Sequence, residues 1–417
     1  MNTQKKLKFV FKDHTHNSPH QIHGVGKTSF FNILEKLNLA EPAYFIGNIP
    51  DKTFIYEYQQ SWAIEPEKFF GDEGFLEIDP CPDIVLERIR NKTAILLVTI
   101  PYESPIQPHR MVKIHEYFKR HNLPSSQVIY LTCCLNGNEL YKKYCDNIGE
   151  EPQLRLDYMI ENYWINSNLA NNFLNDNSYI TSIKNKTFLM FNRRWLSHPH
   201  RTLFLYNIFK RNLFEDFYIS FNKTDVDHNS NYTETVSTHH FYNFYFKNEN
   251  DLNHEILNQV EQKLPLILDT HDLVTTNLMF DRFVATKNLY DTSLFHVVSE
   301  TYFNTDIIHL TEKTYKPILY RQPFIMLGPP HILRYLKTLG FKTFSEMFDE
   351  SYDETTDHTE RFYKILDLVE SISKLSYSEK LLLVEKCRDV VEYNFNLLID
   401  FKHNPKYVVD LIDRLKL

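Results

Sequence analysis

The sequence predicts an α/β protein of two domains, each built on mainly parallel sheet. Strand-like apolar runs alternate with amphipathic helix patterns along most of the chain, the signature of βαβ winding. The alternation restarts near residue 183, after an Asn- and Tyr-rich stretch over 135–180 in which no strand is expected. A chain of 417 residues with 42% hydrophobic content is long for one domain and ample for two cores.

In the first half, Leu7–Phe11 reads as a strand. Thr28–Leu37 reads as a helix, with Phe30, Phe31, Leu34 and Leu37 on one face. Short strands are expected at Ala43–Ile46 and Thr53–Tyr56, a helix at Ile84–Arg90 and a buried strand at Thr93–Ile100. Helix Arg110–His121 and strand Gln127–Thr132 follow, then helices near Glu139–Asn147 and Asp157–Leu174. The second half reads as strand Thr187–Phe191, helix His200–Lys210, strand Phe217–Phe221, helix Asn250–Lys263 and strand Leu264–Leu268. A strand from Phe295, a helix from Thr311 and a strand from Pro323 come next. Helices at Thr359–Lys374, Ser378–Asn394 and Lys406–Leu415 close the chain.

Charge argues against a general polyanion binder. With 54 acidic and 46 basic residues the net charge is −8, so no global field draws nucleic acid or an anionic membrane. The five cysteines (Cys81, Cys133, Cys134, Cys145, Cys387) show no metal spacing and no even pairing, and read as reduced thiols of a cytosolic protein. The N-terminus lacks a signal-peptide core, and the longest apolar run, at Ala94–Val98, is far short of a membrane span. The expectation is a cytoplasmic protein whose oligomeric state the sequence leaves open.

Chemistry concentrates in Phe295-His-Val-Val-Ser-Glu-Thr-Tyr-Phe303, Leu310-Thr-Glu-Lys-Thr-Tyr-Lys-Pro317 and Pro323-Phe-Ile-Met-Leu-Gly328. These place Thr311, Glu312 and Lys313 where a loop becomes a helix. A helix start offers free N–H groups and partial positive charge, which suit a phosphate. Glu312 can accept from a ribose diol, Lys313 can meet a pyrophosphate, and Tyr315 lies on a similar helix face to Glu312. Glu300, at the end of an apolar strand, needs a partner if buried. Arg193 and Arg194, in Phe191-Asn-Arg-Arg-Trp195, follow a strand and could clamp the second phosphate.

The segments Val298-Ser-Glu-Thr301, Thr311-Glu-Lys313 and Phe324-Ile-Met-Leu-Gly328 resemble the donor motif of fucosyltransferase-like glycosyltransferases of the GT-B fold. The extended run through Leu336-Lys-Thr-Leu-Gly-Phe-Lys-Thr-Phe344 looks closer still to glycosyltransferase-type proteins of large DNA phages and viruses. The resemblance covers roughly the last half of the chain. It implies two Rossmann-like domains facing a central cleft: an acceptor domain over 1–182, a donor domain over 183–398, and a C-terminal helix, 399–417, packing back on the first domain. It also implies that Glu300, Glu312, Lys313 and Arg193 or Arg194 hold a nucleotide-diphosphate sugar, that transfer is inverting, and that no metal is required. The chain departs from the pattern at Arg321-Gln322, where the family has a glycine.

Transfer to a hydroxyl needs a general base. Glu103, after the buried strand, is the first choice, and Asp13, after the first strand, the second. His14 and His16 fall on the same acceptor side. The acceptor is expected to be a glycan or, as a minority option, a hydroxylated base in phage DNA. The rival class is a non-catalytic nucleotide-binding or interaction protein that keeps the fold.

Three other features read without special chemistry, the first as a small-residue turn into a helix and the other two as loops. His23-Gly-Val-Gly-Lys-Thr-Ser29 imitates a P-loop, but Gln21 stands where the first glycine belongs. The histidines at 14, 16, 20 and 23 lack a second ligand cluster for zinc. Asp225-Val-Asp227 is too short a signal for a manganese site.

Overall fold

The computed structural model describes residues 6–11, 34–35, 38–44, 53–59, 83–99, 108–158, 178–192, 198–221, 253–266, 268, 286–403 and 406–415. Two compact units divide the chain. One comprises Met1–Asn166, Ile307–His309 and Phe401–Leu417, and the other Ser167–Asp306 and Leu310–Asp400. Each contains one parallel sheet, so the α/β class with two Rossmann-like units is what the structure shows.

The first unit holds β1 (Leu7–Phe11), β2 (Ala40–Tyr44), β3 (Phe54–Gln59), β4 (Ala94–Thr99), β5 (Val128–Thr132) and β6 (Arg155–Tyr158). They lie in the order β2-β1-β3-β4-β5-β6, every pair parallel. Its helices are α1 (Asp83–Arg90), α2 (Pro108–His121) and α3 (Gly137–Ile148). Alternate residues of one strand enter opposite cores, as a sheet covered on both faces requires. Leu96 and Val98 join Phe54, Val128 and Tyr130 under α1 to α3. Leu97 joins Phe9, Ile55, Ile129 and Leu131 on the other face, with Leu411 and Leu415 from the C-terminal helix (Lys406–Leu415).

The second unit holds β7 (Lys186–Phe191), β8 (Phe217–Ser220), β9 (Ser293–Ser299) and β10 (Phe324–Leu327), in the order β10-β9-β7-β8 and again parallel. Its helices are α4 (Pro199–Lys210), α5 (His254–Lys263), α6 (Glu312–Leu319), α7 (Ile332–Thr338), α8 (His358–Ser373), α9 (Tyr377–Lys386) and α10 (Arg388–His403). The C-terminal helix of the first unit is then α11. In each sheet the winding reverses beside the first strand, between β1 and β3 and between β7 and β9. Ligands of open parallel sheets sit outside the strand carboxyl ends at such reversals.

Several expectations need correction. Arg155–Tyr158 is a strand inside a stretch where none was expected, and it takes in Asp157, the start of an expected helix. Its Arg-Leu-Asp-Tyr pattern has one apolar residue, and its pairing comes from β5 on one side. In β6 Arg155 donates to the Leu415 carbonyl of the C-terminal helix at 2.6 Å, and Arg414 of that helix donates to Asp157 at 2.9 Å. The expected strand at 264–268 reduces, among the described residues, to one antiparallel bridge between Phe221 and Leu266. The single helix expected over 378–394 divides at buried Cys387 into α9 and α10.

The chain divides after Asn166, upstream of the expected 182. Tyr179 shows why residues just before 182 go with the second unit. Its hydroxyl donates to Glu392, and its ring lies 5.4 Å from the Arg321 guanidinium. No helix among the described residues is long and apolar enough to cross a membrane.

Candidate functional site

At the reversal in the second sheet, Asn192 follows β7 and Glu300 follows β9. Continuing the β7–β9 register from Leu189 opposite His296 brings Asn192 beside Ser299. Both side chains are buried, and Asn192 Oδ1 and Nδ2 and Ser299 Oγ have no hydrogen-bond partner among the described residues.

The chain leaves β9 and returns as the start of α6. Thr311 is the N-cap, with extended backbone and its hydroxyl accepting from the Lys313 amide. Such a cap satisfies one of the four free N–H groups at a helix start. Glu300 is fully buried and grips this turn. Its Oε1 accepts from the Thr311 amide at 3.0 Å and the Thr314 hydroxyl at 2.5 Å. Its Oε2 accepts from the Thr311 hydroxyl at 2.7 Å and the Thr301 amide at 3.3 Å. The Glu300 carbonyl accepts from His200 Nε2 at 3.0 Å and Arg201 Nη2 at 3.1 Å, both on the first turn of α4. Burial, followed by the charge of Arg201, holds His200 well below the ordinary histidine range, so it donates as a neutral ring.

Glu312 and Lys313 are the accessible part of this turn. Their side chains are 22% and 20% exposed and paired at 3.1 Å. The Lys313 ammonium also reaches the Thr311 hydroxyl at 3.2 Å. Burial alone would raise Glu312, but Lys313 and Lys316 outweigh it and hold the carboxyl at about 2. It is therefore an anion throughout the physiological range and can only accept hydrogen bonds. Lys316 lies 5.9 Å from the Phe191 ring. Tyr315 is buried, with its ring near Phe341, so it faces the core.

The end of α6 carries the departure at Arg321. The Arg321 amide donates to the Ile318 carbonyl and the Gln322 amide to the Pro317 carbonyl, which is a Schellman turn. Arg321 takes the left-handed position with φ 51°, where glycine is usual. Its side chain compensates: Nε pairs with Glu392 at 3.1 Å, and the guanidinium lies 3.4 Å from the Phe395 ring centroid.

The loop after β9 is tied from below by Arg361 of α8, which is almost fully buried. It donates to the carbonyls of Phe303, Gly328 (3.2 Å) and Thr355 (2.8 Å), and lies 4.6 Å from the Phe303 ring.

The structure thus brings Glu300, Thr311, Glu312 and Lys313 into one turn. Asp13, His14, His16, Glu103, Arg193 and Arg194 lie outside the described residues, as do the P-loop-like segment and Asp225–Asp227. Sequence reasoning missed Thr314, His200, Arg201 and Arg361. Thr314 had a signal, since it follows the cap by three residues and shares its face. The other three are brought in only by packing. Among the described residues no cluster of His, Cys, Asp or Glu could hold a metal.

No protein-family model matches the chain, and no curated protein sequence matches it. Among solved structures the chain is similar to a glycosyltransferase from Rickettsia africae ESF-5, at 12% identity over 99% of both chains and a TM-score of 0.41. It is also similar to a UDP-forming alpha,alpha-trehalose-phosphate synthase from Burkholderia vietnamiensis, at 8% identity over 79% of this chain and 69% of that one, with a TM-score of 0.38. A third is an E. coli structure bound with UDP-2-fluoro glucose, at 9% identity over 98% and 99% and a TM-score of 0.36. At these scores the likeness carries no argument, and strand order and the site geometry carry it instead.

Proposed function

We propose that the protein is a glycosyltransferase of GT-B type, moving a hexosyl or pentosyl group from a nucleotide-diphosphate sugar to an acceptor hydroxyl. The observation that carries this reading is the Thr311-Glu312-Lys313 turn, opening a helix beside the winding reversal of a parallel sheet. Lys313 and the positive end of the α6 dipole meet the pyrophosphate, and the Glu312 carboxylate accepts from the ribose diol. Arg193 or Arg194, directly after β7 and Asn192, supplies the second cation. Such donors stabilise the leaving pyrophosphate as charge develops, without a metal. The first unit takes the acceptor, a glycan or, less favoured, a hydroxylated DNA base. Glu103 or Asp13 acts as general base, with His14 and His16 nearby, and the anomeric centre inverts.

The test is thermal shift against UDP, GDP, TDP and ADP, with and without EDTA. A ligand that binds only the folded state raises the melting temperature. The expected result is a shift with one diphosphate, unchanged by EDTA, retained in Lys27→Ala and lost in Lys313→Ala. A shift lost in Lys27→Ala alone would favour a P-loop ATPase. No shift with any of the four would remove the donor reading. Binding without transfer to any acceptor hydroxyl would leave a non-catalytic nucleotide-binding protein.

A further inference from the structure

The Glu300 carboxylate is fully buried, and both of its oxygens are occupied by the chain itself. A carboxylate has roughly four acceptor positions. The amides of Thr301 and Thr311 and the hydroxyls of Thr311 and Thr314 fill them at 2.5–3.3 Å. Three of these four bonds go to the first turn of α6. A ribose or phosphate reaching Glu300 would have to break bonds in a place closed to water, leaving buried donors without partners. The backbone of Glu300 is held as firmly, because its carbonyl accepts from His200 and Arg201.

We infer that Glu300 is a positioning residue, distinct from the donor ligands Glu312 and Lys313. This rests on the donor reading above. Glu300 connects the end of β9 to the N-cap of α6 and so sets where Glu312 and Lys313 stand. A donor site built this way is preformed, because its first turn is fixed by the protein before a nucleotide arrives. The geometry makes the side chain's length critical. Glu300→Asp withdraws the carboxylate by about 1.5 Å, one C–C bond. Glu300→Gln replaces one acceptor oxygen by a donor that faces either the Thr311 amide and Thr314 hydroxyl or the Thr301 amide and Thr311 hydroxyl.

The test is hydrogen–deuterium exchange of the full chain, with affinity for UDP, GDP, TDP and ADP measured in parallel. In Glu300→Gln and Glu300→Asp without nucleotide, exchange over 311–316 is expected to rise tenfold or more, while β7 is unchanged. Diphosphate affinity should fall at least tenfold. Thr314→Val, which removes one bond and keeps the carboxylate, should give a smaller rise in the same segment. Adding it to Glu300→Gln should give little more than Glu300→Gln alone. Affinity that falls with exchange over 311–316 unchanged would make Glu300 a ligand and overturn the inference. So would faster exchange with unchanged affinity. If wild type binds none of the four nucleotides, the donor reading fails by itself, and unchanged exchange in the variants still overturns the positioning role.

Discussion

Both sheets reverse their winding beside the first strand and both bury polar groups toward strand carboxyl ends, as where Thr99 donates to Glu57 at 3.0 Å in the first unit, but the two units use polar clusters to tie different elements. In the first unit one polar cluster among the described residues lies between helices. His115 of α2 meets the Tyr141 hydroxyl of α3 at 3.0 Å and Glu150 at 3.0 Å, and Lys119 joins Glu150 at 2.6 Å. Cys145 lies 3.8 Å from the same histidine. These contacts stitch α2 to α3 and to the turn that enters β6. In the second unit one set of buried groups, Glu300, Thr311, Thr314, His200, Arg201 and Arg361, ties down the loop after β9. Winding supplies a crevice in both units. Side chains decide whether the ground beneath it is rigid and polar.

The comparison can be broken most severely at Arg361. Arg361→Met leaves several buried carbonyls unpaired and should destabilise the second unit by about 3 kcal/mol or more. Urea unfolding followed by exchange in each unit should show β7 and β9 opening early and β4 and β5 unmoved.

Acid should sharpen the contrast next. Burial, followed by Lys316, pushes His296 down to about 3, and His200 is lowered in the same direction. The unfolded chain protonates these rings near pH 6.5 and the folded chain does not. Stability is therefore unaffected above about pH 6.5 and falls as pH drops toward 3, by up to about 1.4 kcal/mol per pH unit for each histidine. Melting curves between pH 7 and 4 should show this slope, and His296→Gln should reduce it.

Arg321 comes third. Arg321→Ala keeps the left-handed backbone and loses Glu392 and the Phe395 ring, for an expected loss of about 1–2 kcal/mol. Arg321→Gly loses the same contacts but relaxes the backbone, so it should lie closer to wild type in denaturant midpoint. The smallest effect is expected at Arg414→Ala in the first unit, whose side chain is 35% exposed against Asp157. A loss of about 1 kcal/mol or less is expected in urea unfolding. A larger loss would mean that α11 secures the β6 edge more strongly than a surface pair can.

What was legible follows the strength of local pattern. β4 and β5 are continuous apolar runs between polar turns, and α11 repeats apolar residues at helical spacing through Val408, Leu411 and Leu415. These appear close to where the pattern puts them. β6 has little pattern of its own and exists because β5 and α11 pair with it. The bridge at Leu266 likewise depends on Phe221, far along the chain. At the site, the Thr-Glu-Lys helix start was readable because an N-cap is a local event between a side chain and an amide two residues on. The face of Tyr315 was not, since helical spacing relates it to Glu312 and says nothing of what covers it.

By itself the sequence determined the α/β class, the place of most strands and helices, and the helix start that carries Glu312 and Lys313. Periodicity and capping act over a few residues, and there the sequence is the cause. The tertiary structure alone decided that Glu300 is closed inside the protein, that His200, Arg201 and Arg361 hold the loop beneath the site, and that Arg321 tolerates a glycine's backbone. Each of these rests on groups 11 to 100 residues apart in sequence meeting at hydrogen-bond or ring-contact distance. Such meetings are fixed by packing, which no local pattern records.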